Sequence, residues 1–166
     1  MLALDWINQH LPGSKKVATP PLFKERGQDK SCALIQKFKR EHLELMDFLS
    51  EANMALGRYE YWNVPLSLER FRTVMEAHLL DENVNLYWCL EDRLIRNPDG
   101  MKVMREFRRE MLAIGRSVRE FIRKYRTEGI GTDNHKDFER ELHDIRNTLA
   151  ARLEREEQQL YVLYRA

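Results

Sequence analysis

Sheet-breaking and loop-forming residues are scarce in this chain: seven glycines and five prolines among 166 residues. Four of the prolines lie before residue 66, so the rest of the chain is nearly free of helix breakers. Cysteine is scarcer still. Cys32 and Cys89 show no metal or redox spacing, which excludes a disulfide scaffold and fits a reduced, cytoplasmic setting. A formal net charge of +1 gives no reason to expect an acidic polymer as partner. No apolar run approaches the length of a membrane span and no cleavable signal pattern opens the chain, so a soluble protein without membrane attachment is expected. Phosphate-cradling glycine loops, a G-x-S-x-G elbow and a Cys/His pairing with local logic are all missing, which argues against an enzyme.

What the chain has in quantity is charge, 33% of residues, and apolar residues at helical spacing. Residues 1–28 stand apart. MLALDWINQH is compatible with a short amphipathic helix, but Pro12-Gly13 and Pro20-Pro21 interrupt it, so 1–28 reads as an arm and 29–166 as one domain. A first helix over 29–56 aligns Leu34/Ile35, Phe38, His42, Leu45, Leu49 and Ala52. A second over 67–95, capped by Ser67, aligns Phe71, Val74, His78, Glu82, Asn85/Leu86 and Cys89. The turn NPDG (97–100) leads to a third helix over 101–127, with Met104, Phe107, Met111, Ile114, Val118, Phe121 and Tyr125 on one stripe. After EGIGTDN a fourth helix over 134–164, capped by Thr132 or Asp133, carries Phe138, Leu142, Ile145 and Leu149. Four such helices with short links predict an all-α, up-down-up-down four-helix bundle.

The fourth stripe continues into Arg152 and Glu156, where its own pattern asks for leucine. His42, His78 and Glu82 fall on the other stripes, and both His78/Glu82 and Arg152/Glu156 are spaced to share a helix face. All five lie near helix midpoints, so the pattern predicts one polar layer across the core. A charge buried there must be paired, neutralised or metal-bound. His143 falls on the opposite face of its helix, and His10 and His135 at an arm and a helix start; all three are expected at the surface.

The segments HLLDENVNLYWCLEDRL (78–94) and RLEREEQQLYVLY (152–164) resemble the two "His, three residues, Glu, then Leu-Tyr" segments of hemerythrin-like (HHE) proteins. Those are four-helix bundles holding a di-iron centre that binds dioxygen or senses oxygen, nitric oxide or iron. The resemblance covers roughly residues 30–164 and implies that His42, His78, Glu82 and Glu156 are metal ligands. It breaks at two places. The third helix offers Met111 and Gly115 where the family has histidine, and Arg152 stands at the histidine position of the fourth helix. A guanidinium is cationic and has no acceptor, so it attracts Glu82 and Glu156 and repels a metal. The implied site is a degenerate one, an Arg152–Glu82–Glu156 charge network with no cofactor, or a single iron held by the four remaining donors.

FERELHDIRNTLAARLEREEQQL (138–160) is also similar to the last helix of Rsd-type anti-sigma factors, helical bundles that bind a sigma factor without metal. Together the two resemblances imply a regulatory protein-binding module, monomeric or homodimeric, acting on a sigma factor or another transcription regulator. The alternative they leave is an iron-dependent sensor of oxygen, nitric oxide or iron. A basic third helix, with nine Lys/Arg against three Glu over 101–127, offers a landing surface for an acidic protein. No recognition-helix motif accompanies it, so nucleic acid is not expected as partner.

Overall fold

In the computed structural model residues 27–165 are described, and among them every regular element is helical. The expected arm over 1–28, apart from its last two residues, lies outside the described residues, as does His10. Helix α1 spans Gly27–Gly57. The second rod is built from α2 (Val64–Asp81), a π-helical segment (Glu82–Tyr87) and α3 (Trp88–Arg93), and ends in a short 3-10 turn (Leu94–Arg96). Helix α4 (Pro98–Glu128) is the third rod. The fourth repeats the design of the second: α5 (His135–Arg155), a π-helical segment (Glu156–Leu160) and α6 (Tyr161–Arg165). The result is an all-α bundle of four rods joined by short links.

Each link follows from local chemistry. At the end of α1 the Glu60 N–H reaches the Ala55 carbonyl and the Tyr59 N–H reaches Leu56, both at 2.9 Å. This Schellman closure places Tyr59 in the left-handed region, φ 60°, a conformation usually left to glycine. The expected cap at Ser67 is displaced. Helix α2 starts at Val64, with Pro65 in its first turn where a missing N–H costs nothing, and Ser67 is buried inside it, donating to Glu51 at 3.4 Å. NPDG is the start of α4 itself. The Asn97 side chain accepts from the Gly100 N–H at 2.9 Å, and a β-carbon at Gly100 would come within 2.9 Å of Asn97 and Leu94. The fourth rod begins after Asn134 rather than at a Thr132 or Asp133 cap. The Asn134 amide bridges backward, accepting from Gly131 and donating to the Gly129 carbonyl.

The apolar stripes form two packed clusters. One contains Leu45, Leu49, Phe71, Met75, Phe121, Tyr125, Phe138 and Leu149; the other Ile35, Phe38, Leu86, Leu90, Met104, Phe107 and Tyr161. Between them lies the polar layer. His42, His78, Glu82, Arg152 and Glu156 are all buried, with His78, Glu82 and Glu156 at 0% exposure. Beyond Glu82 the stripe of the second rod departs from a plain helical reading. Tyr87, Leu90 and Leu94 turn inward, while Asn85 is exposed and Cys89 only half-buried. The π turn holds about one extra residue per turn, which rotates everything after it relative to an uninterrupted α-helix.

Candidate metal centre

The structure brings His42, His78, Glu82 and Glu156 together. Each contributes one ligand-type atom, and the four atoms lie within 4.8 Å of one another. His42 comes from α1, His78 from α2, and both carboxylates are the opening residues of the two π segments. π turns are rare and recur at functional sites. Here each begins on a buried glutamate, so both helices loosen at the residue they present to the centre.

The two imidazoles are oriented alike. His78 Nδ1 is 2.9 Å from Glu41 Oε2, and His42 Nδ1 is 3.0 Å from Glu157 Oε1. An ionised carboxylate only accepts, so in both rings Nδ1 carries the proton and Nε2 turns inward. There His78 Nε2 has no hydrogen-bond partner; a proton on it would be a buried, unsatisfied donor. It faces Glu82 Oε1 at 3.6 Å, and His42 Nε2 faces Glu156 Oε2 at 3.9 Å. Burial, with His78 close by, lowers the His42 pKa and keeps that ring neutral, although Glu156 and Glu157 pull the other way. Glu41 and Glu157 are tied in turn to Lys37 and Lys39 at the rim, at 3.5 and 2.6 Å. Burial raises the Glu41 carboxyl, but His78 and Lys37 outweigh it and hold it below its ordinary range.

Glu82 is pushed well above the usual carboxylate range by complete burial and by the Glu156 charge beside it, against the opposing pull of Arg152 and Tyr161. One of its oxygens, Oε2, has no hydrogen-bond partner. Buried atoms of this kind, an imidazole nitrogen and a carboxylate oxygen, form the donor set that a first-row divalent or trivalent metal takes. The residues present therefore fit one metal ion.

They do not fit two. The third rod sends no donor side chain from Met111 or Gly115, both buried. Arg152, 2% exposed, fills the side of the centre toward that rod. Its guanidinium lies 4.4 Å over the Phe107 ring, and Nη2 donates to the Phe107 carbonyl at 3.3 Å and to the Tyr87 hydroxyl at 3.4 Å. Nη1 sits 2.9 Å from Glu156 Oε2, and Nε 3.8 Å from Glu110. In the expected Arg152–Glu82–Glu156 group, Arg152 meets Glu156 directly and Glu156 lies beside Glu82, which also has His78 and Tyr161 as close neighbours. Its burial also removes Arg152 from any surface that a partner protein touches.

Sequence reasoning missed Glu41, Glu157, Glu110, Tyr87 and Tyr161. For Glu41 and Glu157 a signal was present: each is an acid immediately beside a ligand-type residue, in Glu41-His42 and Glu156-Glu157. Tyr87 and Tyr161 each follow a buried glutamate by five residues, and the π turns bring them back to the centre. His143 is exposed as expected. His135 is half-buried, with its Nδ1 3.1 Å from the Tyr61 hydroxyl and its ring 5.3 Å from that of Tyr59, because the left-handed link folds both tyrosines over the start of α5.

Among the described residues no helix is long and apolar enough to cross a membrane. Comparison with curated proteins and with solved structures gives no match. The family model for the hemerythrin HHE cation-binding domain matches residues 33–164, which takes in all four rods and every residue of the centre. The chain therefore belongs to the hemerythrin HHE cation-binding family.

Proposed function

We propose that this chain is a hemerythrin-type metal-binding module whose centre takes one metal ion, iron by the chemistry of its donors and its family, and that it acts as a binding or sensing domain rather than an enzyme. His42 and His78 through Nε2, with Glu82 and Glu156 through carboxylate oxygens, would hold the ion. When bound, iron supplies a Lewis-acidic, one-electron-active centre responsive to dioxygen, nitric oxide or iron supply. The chain's own residues do the rest. Glu41 and Glu157 fix the imidazole tautomers, the two apolar clusters exclude water, and Arg152 provides the positive charge of the missing second ion. The observation that carries this reading is the pair of imidazoles, each with Nδ1 on a carboxylate and Nε2 turned toward a buried glutamate.

Elemental analysis after titration with ferrous iron under anaerobic conditions tests it. One ion per chain is expected. Two ions would show that Arg152 does not block the second position, and none would sink the reading altogether.

The second reading is a metal-free regulator that acts through a protein partner such as a sigma factor. Its support is the 2.9 Å Arg152–Glu156 pair, which already neutralises one buried carboxylate. In that case the exposed Trp62, Trp88 and Ile95 are the natural contact points. A chain that takes up no metal yet captures a sigma factor would favour it.

A further inference from the structure

Tyr161 is a buried group at the centre that neither the ligand set nor its supporting carboxylates account for. Its hydroxyl is 3.1 Å from His42 Nε2 and 3.4 Å from Glu82 Oε1. Those two atoms are themselves the inward donors of the centre. Two donors at right angles around an ion with bonds of about 2.1 Å lie about 3 Å apart. The phenol oxygen therefore already stands where a neighbouring ligand stands relative to both atoms. The ring is held there by stacking on His42 at 5.8 Å and on Phe38 at 6.1 Å, with 1% of the residue exposed. Tyr161 opens α6, directly after the π segment that Glu156 begins, so one irregular turn presents both oxygens to the same cavity. Tyr87, the matching residue of the second rod, differs: its hydroxyl faces the Arg152 guanidinium at 3.4 Å, a cation in place of a ligand atom.

We propose that Tyr161 is a fifth protein donor, binding iron in its ferric state through the phenol oxygen. This rests on the single-metal reading above. A phenolate is a hard, anionic oxygen donor, suited to a trivalent ion and less so to softer divalent ones. On ligation the phenolic O–H bond breaks, an Fe–O bond forms, and the proton leaves to solvent; no electron is transferred. The anion also adds negative charge beside an ion of charge three in a cavity where Arg152 already supplies one positive charge. The centre is thereby biased toward ferric over ferrous iron.

The test loads the metal-free protein with ferric citrate and records metal content and the visible spectrum together. A phenolate-to-iron charge-transfer band is expected, with tyrosinate ring modes in the resonance Raman spectrum that shift when the protein is made with ring-deuterated tyrosine. Tyr161→Phe should abolish the band and weaken ferric affinity by about ten-fold or more, as expected for loss of a ligand or its close partner. Tyr87→Phe should leave the band in place. Because the Raman signature is read on the unaltered chain, failure of a variant to fold does not shield the proposal. Ferric iron bound at one per chain without the band overturns it, as does a band that survives Tyr161→Phe. No bound metal at all overturns the single-metal reading and this proposal with it.

Discussion

At His42 and His78 each imidazole is caught between a carboxylate on its outer nitrogen and the buried glutamates on its inner side. The outer partners, Glu157 and Glu41, are half-buried and reach their histidines at 3.0 and 2.9 Å. Replacing either by glutamine keeps the shape but removes the charge that holds the tautomer. Glu41→Gln and Glu157→Gln are each expected to lower metal affinity by about 10- to 100-fold, measured by competition with a chromophoric chelator. Arg152 acts in the opposite sense. In the metal-free chain Arg152→Leu leaves Glu156 buried without its countercharge, and a loss of about 3–5 kcal/mol is expected in urea unfolding. With metal bound the loss should be clearly smaller, since the ion then supplies positive charge to the same carboxylate. Equal losses with and without metal would mean that the ion does not reach Glu156.

At the scale of the element, the second and fourth rods share a design that neither of the others has: a long helix, a π turn opening on a buried glutamate with a tyrosine five residues later, and a short helix after it. A regular helix would carry Glu82 and Tyr87, five residues apart, on diverging faces. The wider turn draws them together, and it does the same for Glu156 and Tyr161. The stripe of α4 needs no such device, because it presents Phe107 and a backbone carbonyl to Arg152 and no ligand. Its start depends instead on Asn97. Asn97→Ala removes the acceptor for the Gly100 N–H, and a loss of about 1 kcal/mol is expected, read as a lowered midpoint of thermal unfolding. That start was only half legible beforehand. NPDG marks a turn by composition, but whether its last three residues belong to the turn or to the helix is decided by the Asn97 cap.

For the whole molecule, the polar layer separates two apolar clusters, so the bundle's midsection is held by charge compensation and its ends by packing. A metal that binds only the folded chain stabilises it by mass action, by about 4 kcal/mol at a free concentration a thousand times its dissociation constant. Iron is therefore expected to raise the unfolding midpoint, a chelator to reverse the rise, and His78→Ala to abolish it. A midpoint that stays fixed across the titration would count against a site in the core. His78 suits this test because it is fully buried, and its Nε2 has no hydrogen-bond partner to lose.

The apolar spacing alone was enough to determine four helices, the bundle, and the five polar residues of its middle layer. Periodicity reports which face of a helix is buried, and burial of an ionisable group is chemically conspicuous in a run of leucines. Only the tertiary structure decided what those residues do to one another. Arg152 pairs directly with Glu156 and lies over Phe107 with Glu110 nearby, because the third rod brings a ring and a carboxylate to that side. Tyr161 entered the cavity because a π turn, which no spacing rule anticipates, rotates the chain after Glu156. Contacts across rods depend on the azimuth of each helix, and that is set by packing against the other three.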